Sequence, residues 1–160
     1  MIGFRRGVRL GVDVGKARVG IARVDTDGML AVPVETVPRA RSPIDRIAEI
    51  VQEWSPIELI VGLPVNLRGE ETGSTTDARD FAAQLARRTR LPVRMIDERL
   101  STVTAHAALR ASGRSQKNSR SIVDQVAAVV LLQHAVDIEK NTGRPAGELI
   151  DLPEETVPDV

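Results

Sequence analysis

Leu10-Gly11-Val12-Asp13-Val14-Gly15-Lys16-Ala17-Arg18-Val19-Gly20-Ile21-Ala22 decides the fold, because it sets a carboxylate inside a run that otherwise reads as a buried strand. Val8, Leu10, Val12 and Val14 alternate with Arg9, Gly11 and Asp13, the period of a pleated strand, so Asp13 points to the face opposite the valines. Aspartate is depleted in strands and costly to bury unpaired. Gly11, Gly15 and Gly20 remove side chains around it, leaving room for another backbone, a phosphate or a metal. Asp13 is therefore read as a site residue.

Outward from this stretch, residues 8–14 and 18–25 pair through the Gly15-Lys16 turn. Thr26-Asp27-Gly28 then leads into a third strand at about 29–37, giving a three-stranded meander broken by Pro38. Ser42-Pro43 offers an N-cap with proline at the first helical position, and Ile44, Ile47, Ala48 and Val51 recur at helical spacing up to Trp54. Residues 58–62 form a short apolar strand, and residues 63–73 a polar loop holding Pro64, Asn66, Gly69 and Gly73. Ser74, Thr75 or Thr76 caps a helix whose apolar face is Ala78, Phe81, Ala82 and Leu85. A strand at 92–96 ends on Asp97-Glu98-Arg99; a helix at 101–112, a basic loop at 113–119 and a long helix at about 121–140 follow. This order lets the later strands pair in parallel beside the first through helical crossovers. The expected class is α/β, a mixed five-stranded sheet flanked by helices, with one domain over residues 1–140 and a flexible acidic tail over 141–160.

Composition narrows the function classes. A chain of 160 residues buries one sizeable core without staples, and the absence of cysteine excludes disulfides and thiolate metal sites, which suits a cytoplasmic protein. The longest apolar run, Val126 to Leu132, is too short to span a bilayer, so no membrane partner is expected. Basic and acidic residues balance at 22 each, yet they are polarised along the chain. Between Arg87 and Arg120 nine basic residues face two acids, whereas from Asp137 onward seven acids face Lys140 and Arg144. The basic excess suits a phosphate backbone, although Arg-rich solvated helix surfaces give the same pattern. Trp54, Phe4 and Phe81 are too few for a base-stacking platform. His106 and His134 sit in helical patterns and are read as packed or surface residues. Val129 to Leu132 exceed the needs of one helix face and are assigned to the core, leaving a monomer or weak homodimer.

In a mixed sheet, ligands gather at the carboxyl ends of the strands, where Asp13 and Glu98 lie. Asp124, on the otherwise apolar segment Ile122-Val123-Asp124-Gln125-Val126-Ala127, makes a third acid able to meet them. Unit charges about 5 Å apart at an effective dielectric near 20 repel by roughly 3 kcal/mol per pair, so such a trio demands a cation. With oxygen ligands alone, Mg²⁺ or Mn²⁺ is the natural choice, and two such ions support phosphodiester hydrolysis. Each acid has a plainer explanation. Asp13 could cap a turn, Asp97 or Glu98 could be ordinary acids where a strand meets a loop, and Ser121-x-x-Asp124 matches a helix capping box. A P-loop is excluded, since only three residues separate Gly11 from Gly15 and Ala17 replaces the required hydroxyl residue.

Four segments together resemble one family: Gly11 to Ala22; Val61-Gly62-Leu63-Pro64-Val65-Asn66-Leu67-Arg68-Gly69; Asp97-Glu98-Arg99-Leu100-Ser101-Thr102; and Ile122 to Ala128. They resemble the YqgF (RuvX) family, bacterial proteins of ribonuclease H-like fold related to Holliday-junction resolvases. The resemblance implies a metal-binding, catalytic trio of Asp13, Glu98 and Asp124. It also implies maturation of the 5′ end of the small-subunit ribosomal RNA precursor or, in some members, action on branched DNA. Asn66 and Arg99, within matched motifs, are expected to contact substrate or support residues that do, and Asp97 to be structural. Lys16, Arg110, Arg114, Lys117 and Arg120 are the further candidates for holding phosphates. The expected activity is a metal-dependent endonuclease. Its competitors are a non-catalytic RNA-binding factor in transcription antitermination or ribosome assembly, and an actin-like ATPase, which a single domain of this length disfavours.

Overall fold

In the computed structural model, which describes residues 3–99 and 116–150 (backbone alone for 116–124), the meander forms where the alternation places it. β1 (Arg9–Val14), β2 (Arg18–Val24) and β3 (Ala31–Pro38) are antiparallel neighbours. The Gly15 N–H donates to Arg18 O at 2.9 Å and closes the first turn. β3 ends at Pro38, where the sequence places the break; Pro38 itself still pairs with Arg18, a place a residue lacking an N–H can hold because β3 is an edge strand. After a short 3-10 turn, α1 (Pro43–Trp54) begins with proline at its first turn. Ser42 makes no side-chain capping bond there: it adopts a left-handed conformation at φ 52°, so the expected serine cap is replaced by a backbone bend.

β4 (Glu58–Leu63) pairs in parallel with β1, and β5 (Val93–Asp97) pairs in parallel with β4. Between them runs α2 (Gly73–Thr89), whose entry is fixed by Thr75: its Oγ1 accepts the Thr72 N–H at 2.9 Å and donates to Pro64 O. The long helix α3 (Gln116–Thr142) starts inside the stretch expected to be a basic loop over 113–119. The helix expected at 101–112 lies outside the described residues.

The sheet has six strands rather than five, in the order β3-β2-β1-β4-β5-β6. The extra strand, β6 (Glu148–Leu149), comes from the segment read as tail and runs antiparallel to β5. Two residues are too short for a period-2 signal. What holds them is burial of Ala146 beforehand, a left-handed Gly147 at φ 77° and a bond from Ile150 N–H to Val93 O at 2.9 Å. Residues 151–160 are outside the description.

Alternation sorts the side chains onto two faces. Leu10, Val12, Ile21, Leu59 and Val61 pack with Phe81, Leu85, Ile47 and Ile50 under α1 and α2. Ala22, Val24, Ile60 and Ile96 pack with Ala128, Leu131, Leu132 and Val136 of α3. Of the four residues assigned to the core, Leu131 and Leu132 belong to it, at 1% and 0% exposure, whereas Val129 packs on its margin and Val130 is only partly buried. Gly11 lies on the α3 face, where a Cβ would come within 2.8 Å of Leu132 Cβ and 3.0 Å of Ala128 O. What occupies the space is helix α3, through the Leu132 side chain and the Ala128 carbonyl. Among the described residues, no helix is long and apolar enough to cross a membrane.

At the amino end of the parallel strands, β1, β4, β5, α3 and the N-terminal segment meet in a cluster of buried charge. Arg9, Glu58 and Glu139 are 1%, 2% and 2% exposed. Arg9 Nη2 donates to Glu139 Oε2 at 2.7 Å, Arg5 Nη2 donates to Glu58 Oε1 at 2.8 Å, and Arg94 Nε stands 3.3 Å from Glu58 Oε2. Phe4 lies under the Arg9 guanidinium at 4.3 Å. Burial alone would raise the Glu139 carboxyl, but hydrogen bonds from Arg5 and the charges of Arg9 and Arg5 outweigh it and hold it below the usual range.

Candidate active site

The opposite, carboxyl end of the parallel strands carries Asp13 near the end of β1 and Glu98 directly after β5. β4 runs between those strands, and strands two places apart in a sheet are roughly 9.6 Å apart, too far for one carboxylate to touch another across an ordinary residue. Gly62 removes the obstacle. One step beyond the Val12 and Val61 pair, it lies level with Asp13, and it pairs with Ile96 on the other side. The Glu98 side chain lies over it, so that a Cβ on Gly62 would overlap Glu98 Oε1, Cδ and Cγ. Across this bare patch Glu98 comes within hydrogen-bonding reach of Asp13.

The electrostatic result is severe. Burial, then the adjacent Asp13 carboxyl, then the charge of Asp97 push the Glu98 carboxyl up to about 10. Glu98 Oε1 is buried with no hydrogen-bond partner, although buried oxygens are almost always satisfied. Two carboxyl groups sharing a pocket, with one oxygen orphaned, fit a hard divalent cation: it accepts oxygen ligands, cancels the repulsion and satisfies the stranded atom. Asp13 and Glu98 are the described residues able to hold it. Among the described residues no group of three metal-ligating side chains gathers.

Asp124 belongs to α3, in its third turn. A capping-box or dipole explanation for an acid at the start of that helix is therefore removed, because the helix begins at Gln116. Its backbone lies one turn before Ala128, whose carbonyl faces Gly11. Since Glu139 meets Arg9 while Ala128 and Leu132 meet Gly11, the helix runs antiparallel to β1, and its backbone before Ala128 lies towards the Asp13 end of that strand. The Asp124 side chain lies outside the described residues, as do those of Lys117 and Arg120 and the whole of Arg110 and Arg114.

Around the pair, the 63–72 loop is tied down on both sides. Glu98 N–H donates to Leu63 O at 3.2 Å. Asp97, on the other face, holds Arg99 in a two-point pair, with Nη2 to Oδ2 at 2.6 Å and Nε to Oδ1 at 3.1 Å. That pairing keeps the Asp97 carboxyl below its ordinary range. Arg99 Nη1 also reaches Leu67 O at 3.5 Å, so this candidate phosphate ligand is engaged within the protein. Asn66 Oδ1 accepts the N–H groups of Arg68 at 3.0 Å and Glu70 at 2.9 Å; it builds the loop rather than presenting that oxygen outward. Lys16 is exposed in the turn after β1, at the Asp13 end, and Arg39 steadies that turn by donating to Gly15 O at 3.0 Å and to both Asp77 oxygens. Sequence reasoning missed Gly62 as part of the site. The available signal was a glycine inside an apolar strand, which marks a close approach.

Comparison with known proteins supplies the family. The family model RuvX, described as Holliday junction resolvase, matches residues 7–138. A Clavibacter michiganensis protein named as a candidate pre-16S rRNA nuclease is 52% identical over 150 residues, covering 92% of this chain and 93% of its own. A Streptomyces coelicolor protein of the same name is 49% identical over 152 residues, covering 93% and 91%. Among solved structures, Thermus thermophilus RuvC in complex with a Holliday junction substrate superposes with a TM-score of 0.56 at 19% identity, over 87% of this chain and 99% of that one. At that identity the likeness speaks for the fold alone, which is RuvC-like. From the extent of the family match and the half-identical relatives, the chain belongs to the RuvX family.

Proposed function

We propose that the chain is a divalent-metal-dependent endonuclease acting on the 5′ leader of the small-subunit ribosomal RNA precursor, with Asp13, Glu98 and Asp124 as its metal ligands and catalytic carboxylates. The observation that carries the reading is Glu98 reaching over Gly62 to meet Asp13, with Oε1 left without a partner. The relatives' names supply the substrate class. Mg²⁺ or Mn²⁺ bound there would activate water and stabilise the leaving oxygen.

The chain's own residues set the conditions. Glu98, raised to about 10, holds a proton at neutral pH in the absence of a cation and releases it on ligation, so occupancy rises with pH. Gly62 gives Glu98 its path, and the Leu63 carbonyl and the Asp97–Arg99 pair fix its backbone on either side. Asp124, carried on α3, is assigned as the third carboxylate. Lys16 and Arg99, with Arg110, Arg114, Lys117 and Arg120 from the basic stretch, hold substrate phosphates; Arg99 exchanges Asp97 for one of them. Branched DNA is the competing substrate.

The test is cleavage of two end-labelled substrates, a precursor RNA 5′ leader and a four-way DNA junction, with Mn²⁺ or with EDTA, by wild type and Asp13→Asn. Metal-dependent cutting of the RNA by wild type, reduced at least about a thousandfold in Asp13→Asn, is expected. Binding without cutting under every divalent metal would instead identify a non-catalytic RNA-binding factor.

A further inference from the structure

We infer that Leu67 is an apolar wedge that opens a base step of the nucleic acid beside the carboxylate pair, an inference resting on the nuclease reading above. Leu67 is 92% exposed, more than Met29, Leu30, Leu149 or Trp54. Scattered exposed leucines are ordinary, so the argument lies in where this one stands and what holds it there. Met29 and Leu30 follow the β2–β3 turn at the Arg9 end of the sheet. Leu149 lies opposite Arg94 at the start of β5, and Trp54 is covered by the Arg23 guanidinium at 4.1 Å. Among the described large apolar residues left exposed, Leu67 is the one at the carboxylate end.

The loop beneath it is built, not slack. Val65 bridges Glu71, Asn66 N–H donates to Glu70 O at 3.0 Å, and Gly69, left-handed at φ 78°, donates to Asn66 O at 2.9 Å. The Asn66 side chain ties two further N–H groups, and Arg99 grips the Leu67 carbonyl. All of the local bonding serves to present one apolar side chain to water, at a tip where a polar residue would cost nothing in packing. The same loop starts at Leu63, which is bonded to the Glu98 backbone, so the tip moves with the site. Flanking Leu67 are the exposed Arg68 and the half-exposed Arg99. A leucine between two guanidinium groups matches a nucleic-acid strand, with phosphates to the arginines and a base face to the leucine. Apolar side chains inserted between base steps unstack and kink the strand, which here would bend the backbone towards Asp13 and Glu98.

The probe is an RNA stem with a single-stranded 5′ leader, carrying 2-aminopurine in turn at each position across the stem–leader boundary. Fluorescence is read on saturation with full-length Asp13→Asn, which keeps the substrate uncut. The expected result is a rise at one or two adjacent positions, lost in Asp13→Asn/Leu67→Ser and retained in Asp13→Asn/Leu67→Met. With otherwise wild-type protein, Leu67→Ser should slow cutting at a paired step about tenfold more than at the same step mismatched. No rise at any position, or an equal rise with serine, overturns the wedge. Because the fluorescence does not depend on cutting, a Leu67-dependent rise from a protein that never cleaves would sink the nuclease reading and leave the wedge standing. Cutting with a rise indifferent to Leu67 would do the reverse.

Discussion

The two ends of the same sheet treat buried carboxylates in opposite ways. At the amino end, Glu58 and Glu139 are almost fully buried, yet Arg5, Arg9 and Arg94 surround them and Glu139 stays ionised below its ordinary range. At the carboxyl end, Glu98 faces Asp13 with Asp97 close by, and its carboxyl is pushed up to about 10. Burial is common to both; the sign of the neighbours differs. At the amino end three guanidiniums surround the acidic pair; at the carboxyl end Glu98 Oε1 is buried without a hydrogen-bond partner, the feature that an external cation would satisfy.

The contrast breaks most visibly at the compensated end. Glu139→Gln leaves the buried Arg9 with Glu58, at 3.5 Å, as its carboxylate among the described residues, beside the Gly7 and Arg5 carbonyls, and should destabilise the fold by about 3–5 kcal/mol, read from urea unfolding. A loss below about 1 kcal/mol would mean that the cluster is not holding the sheet to α3. Next in size, Mg²⁺ at about a hundred times its Kd should stabilise wild type by about 2.7 kcal/mol, and Glu98→Gln far less, while Glu139→Gln keeps the full increment. An equal increment in Glu98→Gln would place the cation elsewhere.

The pH dependence sharpens the comparison further. In EDTA the raised Glu98 carboxyl binds a proton in the folded state that the unfolded chain releases. Its contribution is present in full below pH 4.5 and fades as pH climbs towards 10, by up to about 1.4 kcal/mol per unit. Glu139, held low, does the opposite: its contribution is present above 4.5 and is lost as pH falls through its folded value. Unfolding curves across this range should show the alkaline slope flattened in Glu98→Gln and the acid slope flattened in Glu139→Gln. The smallest effect is the control. Arg79 and Glu71 pair at 2.6 Å but are exposed on both sides, and Arg79→Ala should cost no more than about 1 kcal/mol in the same assay.

Much of the carboxyl end is legible in the chain because its signals are local. Asp13 breaks an alternating apolar strand, Glu98 ends another, and both fall in motifs of characteristic spacing. Asp124 stands out for the same reason, an acid in an apolar run, though the capping alternative yields only to the position of the helix start. The amino-end cluster has no such signature. Arg9 passes for the polar half of a strand, Glu58 for a strand start and Glu139 for one more acid near the tail. They are partners only because α3 lies antiparallel on β1, 130 residues later. Gly62 is intermediate: its place in a strand is readable, but that Glu98 crosses over it depends on β4 lying between β1 and β5. β6 is lost for want of length, since two residues cannot display a period.

The charge cluster also bears on how the chain acquires its structure. Arg5, Arg9 and Glu58 are synthesised long before Glu139, at sequence separations of 134 and 130 residues from the Arg5 and Arg9 contacts. Until α3 arrives, the meander and the first crossover carry more guanidinium than carboxylate in what will become the interior. Those guanidiniums favour a solvated, open arrangement over a closed one. Docking of the last helix brings the missing charge and closes the core in one event, which ties the two chain ends into a single cooperative unit. Contacts of such long separation also make folding slow, because the loop must close before they form. On the ribosome, a nascent chain of this sequence therefore stays unfinished until residue 139 has emerged.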